Sequence, residues 1–224
     1  KEVRRITTAY ISHSDFLRHE MGSHHPECPE RIQAIEDQLI LSRVDGYLKR
    51  IEPPLATTEQ VELVHSADHV EYVTGHSPTS GYFMLDGDTI MNPATLTVSL
   101  RAAGAAIAGV DAVMKGEVEN AFCAIRPPGH HAEPTRSMGF CVFNNIAIAA
   151  RYAISAYGLE RVAIIDFDVH HGNGTEAAFY DDPKILMCSF FQHPFYPYSG
   201  LDHSDNMVNM PMPASTKGDV VRKM

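Results

Sequence analysis

Residues 162–174 read VAIIDFDVHHGNG, an apolar β-branched run that ends in Asp166, Asp168, His170 and His171 ahead of Gly172, Asn173 and Gly174. A short run of this kind favours a buried strand, and polar side chains crowded at its end mark the carboxyl edge of a sheet, where open α/β folds bind ligands. In this extended segment successive side chains alternate faces. Asp166, Asp168 and His170 then share one face, while Phe167 and Val169 anchor the other. A carboxylate and an imidazole two residues apart on one face can hold a single divalent cation, and mixed oxygen and nitrogen ligation suits zinc in an open catalytic site. The plain alternative is a strand end capped by polar residues.

Upstream, RPPGHH (126–131) follows another β-like run, residues 121–125. Pro127 and Pro128 stiffen the backbone and Gly129 admits a dihedral that a side chain would not, which mounts His130 and His131 on a sharply turned loop suited to an acid and a base. Between the two motifs, Asn144 or Asn145 can cap a helix that runs to about Tyr157 and stops at Gly158. Residues 95–114 form an apolar, proline-free helix stopped at Lys115-Gly116, and 161–167, 175–180 and 185–190 read as strand, short helix and strand. Alternating strands and helices imply a parallel sheet wound by right-handed crossovers. Residues 75–93 read as a long surface loop.

Composition bounds the partners. At 224 residues and 44% hydrophobic, the chain can bury one full core, and one domain is the default. The 18 Lys and Arg against 28 Asp and Glu give a net charge of −10, which disfavours nucleic acid and mildly favours cationic partners. Cys28, Cys123, Cys141 and Cys188 have no CxxC spacing, so reduced thiols in a cytoplasmic setting, or a nuclear one in a eukaryote, are expected. No stretch reads as long or apolar enough to span a bilayer, no secretory signal is visible, and membrane partners are not expected. Oligomeric state is left open, a homo-oligomer included.

Four motifs together resemble the histone deacetylase family: HPECPER (25–31), RPPGHHAE (126–133), MGFCVFNN (138–145) and DFDVHHGNG (166–174), in family order and over nearly the whole chain. The HPE-PER element and Asn173 resemble the class II branch and its bacterial relatives. The resemblance implies an α/β, three-layer arginase/deacetylase-like fold around a central, mainly parallel sheet. It implies a metal-dependent hydrolase, with Zn2+ or alternatively Fe2+ held by Asp168 and His170, that removes acetyl or other acyl groups from lysine side chains of proteins and peptides. His131 would be general base and then acid, facing Asn173, and His130 would be oriented and kept positive by Asp166. Gly139, Phe140 and Tyr196 would line the channel for the acyl-lysine stem, Asp88 would accept hydrogen bonds from the substrate backbone at the rim, and Arg31 would line an acetate exit. A structural K+ would use the Asp166 and Ser189 side chains with main-chain oxygens of Asp168, His170 and Phe190. Core packing for the two aromatics, an ordinary turn for Asp88 and a solvated helix start for Arg31 remain the plain alternatives.

The family's third metal ligand, a second Asp, and its oxyanion-binding Tyr have no counterpart in these residues: Asp202, Asp205 and Asp219 follow no apolar strand, and Tyr198 precedes Ser-Gly. The expectation is therefore the amino-terminal part of one deacetylase domain, inactive by itself. Two further readings stay open, an amidohydrolase for acetylpolyamines or other small acylated amines, and a metal-binding acyl-lysine reader without turnover.

Overall fold

The structure, a computed structural model, describes residues 7–223. In chain order its elements are β1 (Thr8–Ile11), α1 (Glu30–Leu41), β2 (Leu48–Ile51), α2 (Thr58–Val61), α3 (Ala67–Gly75), β3 (Phe83–Met84), β4 (Ile90–Met91) and α4 (Thr95–Met114). There follow β5 (Asn120–Cys123), α5 (Asn145–Tyr157), β6 (Val162–Asp166), α6 (Asn173–Phe179), β7 (Ile185–Gln192), β8 (Met207–Met212) and α7 (Gly218–Val221). The α/β class and the parallel strands are as expected. Six of these strands form two three-stranded parallel sheets, ordered β2-β1-β5 and β6-β7-β8, and β3 pairs with β4. Between the β5 and β6 edges lies a largely apolar cleft of about 1000 Å³, floored by α4 and α5 and closed at one end by His130, Asp166 and Asp168.

α4 has the composition of a helix buried on more than one side, with alanines and β-branched residues all round and Val98, Ala102, Ala105 and Ile107 in the core. By length and composition α4 is apolar enough to cross a membrane, contrary to the sequence expectation. In the fold it packs against β1, β5 and α5. α5 begins where the Asn144 side chain accepts the Ala147 N–H and ends at Gly158, as read from the sequence.

Three expectations are corrected. The strand does not continue past Asp166. The chain bends there because the Asp166 carboxylate accepts the Asp168 N–H at 3.1 Å, and Phe167 and Val169 are 84% and 50% exposed, so they anchor nothing. Gly129 is not in the left-handed region; a Cβ there would lie 2.6 Å from the Asn145 backbone nitrogen, so it is required by the close approach of the loop to the start of α5. Residues 75–93 are not all loop: β3 and β4 pair antiparallel, with Met91 of β4 and Thr89 just ahead of it fully buried.

Two core histidines tie stability to pH. His19 is fully buried against Thr95, and burial, only partly offset by Glu27, pushes it down to about 4. His65 accepts the Asn144 N–H at 2.9 Å, and burial, aided by His69, pushes it down to about 4 as well. Both bind fewer protons folded than unfolded, so stability present above pH 6.5 is lost as the pH falls towards 4, at up to ~1.4 kcal/mol per pH unit for each. Urea midpoints of the full-length protein at about pH 7, 5.5 and 4.5 should fall accordingly. His65→Gln should make that fall shallower, and an unchanged pH dependence would count against this origin.

Candidate active site

The site is assembled at the carboxyl ends of β5 and β6. Arg126, the first residue of the Pro-Pro-Gly loop, is wholly buried, and its Nε and Nη2 each donate to a Glu27 carboxylate oxygen at 2.7 Å. Nη1 donates to the Phe16 carbonyl. Glu27, in the HPECPER stretch, was given no role from the sequence, because its partner lies 99 residues away. Arg31 joins this cluster, donating to the Ile125 carbonyl at 2.7 Å and to Glu27 at 3.4 Å.

Four residues on, the adjacent rings of His130 and His131 lie 4.0 Å apart and take unlike partners. His130 Nδ1 is 2.9 Å from Asp166 Oδ2. Burial opposes charge on His130, but Asp166 outweighs it and raises the imidazole above its ordinary range; burial likewise works against the Asp166 carboxylate, which the His130 contact holds low. His131 Nδ1 is 2.8 Å from Asn173 Oδ1. The orientation of that amide is set by its other end, because Asn173 Nδ2 donates to Glu133 Oε1 at 2.7 Å. Asn173 therefore accepts, His131 carries its proton on Nδ1, and the Nε2 lone pair is available. Burial first, and the neighbouring His130 second, push His131 down to about 4.

Asp168 and His170 meet by a bend: Asp168 Oδ1 accepts the His170 N–H at 2.8 Å and lies 3.0 Å from His170 Nδ1. One cation could touch both atoms, and a carboxylate with an imidazole fits zinc chemistry. The pair is one donor short of the three protein ligands of an open catalytic zinc site, and among the described residues no cluster of three such groups gathers. Behind them Ser189 stands opposite Asp166 in the β6–β7 register, with its hydroxyl buried and without a hydrogen-bond partner. A buried orphan oxygen beside a carboxylate fits a bound cation such as K+, and Phe190 follows it on β7.

Aromatic rings surround this centre. Tyr196 stands edge-on to His131 at 5.1 Å and to His170 at 5.9 Å, and burial together with the Asp88 and Asp86 carboxylates pushes its phenol up to about 12. Phe195, not singled out from the sequence, stacks on His170 at 5.0 Å with the planes 10° apart. Phe140 meets the His25 ring at 4.5 Å. Asp88 Oδ1 accepts the Gly139 N–H at 3.1 Å and the Thr89 hydroxyl at 3.0 Å, while Thr89 accepts the Phe140 N–H, so the hairpin loop holds the Gly139-Phe140 turn in place.

The histone deacetylase domain matches residues 25–224. A protein of Synechocystis sp. described as uncharacterized protein slr0245 is 41% identical over 96% of this chain and 72% of its own length. A probable deacetylase of Archaeoglobus fulgidus is 38% identical over 94% of this chain and 60% of its own. The crystal structure of the HDA15 HD domain superposes with a TM-score of 0.87 at 33% identity, over 92% of this chain and 62% of that one. The chain thus spans about three fifths of two of these relatives. With a matching domain over most of its length, a superposable fold and the adjacent His130 and His131 held by Asp166 and Asn173, the chain belongs to the histone deacetylase family.

Proposed function

We propose that these residues supply both catalytic histidines and part of the metal site of a zinc-dependent hydrolase that removes acetyl or other acyl groups from lysine side chains of proteins. The observation that carries this reading is the pair of adjacent imidazoles with unlike partners, His130 on Asp166 and His131 on Asn173, beside a carboxylate–imidazole donor pair.

Asp168 and His170 would hold Zn2+, with Fe2+ the alternative; such an ion, when bound, polarises an amide carbonyl and lowers the pKa of water to about 7. The proton work falls to this chain's own groups. His131 is fixed by Asn173 with its Nε2 lone pair directed away, so it accepts a proton from the attacking water and returns it to the departing amine. His130, kept positive by Asp166, favours the negative charge that builds on the substrate oxygen. Phe140 and Tyr196 wall the acyl-lysine stem and exclude water, Gly139 positions Phe140, and Asp88 stands at the rim for the substrate backbone. Arg31 borders the acetate exit. K+ would sit on the Asp166 and Ser189 side chains and the main-chain oxygens of Asp168, His170 and Phe190. In this reading the 224 residues are the amino-terminal part of one deacetylase domain. The third metal donor and an oxyanion donor come from other residues, and without them the stretch is inactive. Its four free thiols suit a reducing, cytoplasmic or nuclear, compartment.

A second reading, an amidohydrolase for acetylpolyamines or similar small amines, draws support from the net charge of −10 and from Asp86 and Asp88 beside Tyr196. Asp88→Asn in the full-length enzyme should weaken peptide substrates more than a simple N-alkylacetamide, which has the acyl amide but no backbone N–H donors. Equal effects on both, with acetylpolyamine the best substrate, would favour the second reading.

In the full-length enzyme, Asp168→Ala or His170→Ala should abolish stoichiometric zinc and activity together, as measured by metal analysis and an acyl-lysine assay. Full metal content in both variants would sink the assignment. His131→Ala should lower turnover by more than ~10²-fold with zinc retained, and His130→Ala should cost less. Near-native turnover in His131→Ala, with His130→Ala inactive, would reverse their roles.

A further inference from the structure

His171 is the one histidine of DFDVHHGNG that the proposed reaction leaves without a task. Only 1% exposed, it has one ring nitrogen hydrogen-bonded, Nδ1 at 2.8 Å from Ser199 Oγ, while Nε2 lies 3.2 Å from Glu176 Oε2 on α6, a close approach to the carboxylate without hydrogen-bond geometry. Glu176 Oε2 is fixed from behind by Asn209 on β8, whose Nδ2 donates to it at 2.6 Å. A carboxylate only accepts, so its closeness favours the His171 proton on Nε2. Its Nδ1 then accepts, and the Ser199 hydroxyl is the donor.

Ser199 belongs to the segment that bears the aromatic wall. Tyr198 before it holds φ +65, a conformation costly for a non-glycine residue, and Gly200 after it holds φ +89. A Cβ at Gly200 would lie 2.6 Å from Phe191 and 2.7 Å from the His171 ring, so the backbone rests directly on the imidazole. Three and four residues upstream of Ser199, Tyr196 stands against His131 and Phe195 stacks on His170. One end of the segment is fastened to His171, and the other end touches the two imidazoles on which the proposed chemistry relies.

We infer that His171 is a positioning residue, which, braced by Glu176 and Asn209, holds Ser199 and thereby sets the Phe195–Tyr196 wall against His170 and His131. The inference rests on the proposed acyl-lysine hydrolysis for its kinetic consequence, and on the loop alone for its structural one. His171 touches neither substrate nor the proposed metal, so its loss acts on substrate seating ahead of the chemical step.

The test uses the full-length enzyme. Ser199→Ala should raise KM for an acyl-lysine peptide about fivefold, the net worth of one hydrogen bond, with kcat and zinc content little changed. Ser199→Thr, which keeps the hydroxyl, should restore it. His171→Gln, which keeps a donor near Glu176, should match Ser199→Ala, and the double variant should be no worse than either single, because both remove one interaction. Hydrogen exchange over residues 195–200 should accelerate in both single variants whether or not the enzyme is turning over. An unchanged KM, additive single effects, or unchanged exchange over 195–200 would each overturn the inference. If the parent enzyme turned over no acyl-lysine, the functional reading would fail by itself, and the exchange experiment would still decide the role of His171.

Discussion

The site hangs from the buried ion pair between Arg126 and Glu27. The guanidinium has no solvent contact, and it meets the carboxylate through two parallel hydrogen bonds of 2.7 Å. Such a pair is not a large source of net stability, because desolvating both charges offsets much of their attraction; removing one partner, however, strands the other at a cost of about 3–5 kcal/mol. Its effect is to fix a point in space. Arg126 ends the strand-borne segment and starts the Pro-Pro-Gly turn, so the pair ties the amino-terminal stretch around Phe16 and Glu27 to the loop that presents His130 and His131. Arg31 and His19 converge on the same carboxylate, at 3.4 Å and 3.6 Å.

From that fixed point the two imidazoles diverge in character although they are neighbours in sequence. Burial pushes both towards the neutral form, and the β6 segment brings to one of them the charge that reverses this. Asp166 closes β6 and faces His130 with a charge, whereas Asn173 opens α6 and faces His131 with a neutral oxygen. One ring is thus shifted towards its charged form and the other towards its neutral form within 4.0 Å, the separation that the proposed electrostatic and proton-transfer tasks require of one residue type.

Much of this was legible in the sequence wherever the signal was local. α4 and α5 were read to their ends, because an alanine-rich run, an asparagine cap and a glycine stop are short-range physics. The partners of His130 and His131 were also named, through the motifs. What escaped depends on distant residues or on backbone detail. The Glu27–Arg126 pair spans 99 residues and His171–Ser199 spans 28, and no periodicity encodes either. The alternation argument for Asp166, Asp168 and His170 reached a correct grouping of Asp168 with His170 by a wrong route: side-chain capping of backbone N–H groups bends the chain and brings them together. The β3–β4 hairpin was hidden because two-residue strands carry too few positions to show a pattern.

The amide of Asn173 joins a donor to an acceptor: its oxygen accepts from one side chain and its nitrogen donates to another. On one side is the imidazole of His131, and on the other is Glu133, only 2.7 Å from the amide nitrogen and itself 3.4 Å from Arg136. An aspartate at position 173 would set two carboxylates face to face, and one of them would have to take up a proton or swing away. The identity of residue 173 is therefore a joint choice with residue 133. Asn173 offers Glu133 a donor where an aspartate would offer a second negative charge, so each of the two side chains constrains what can stand at the other's position.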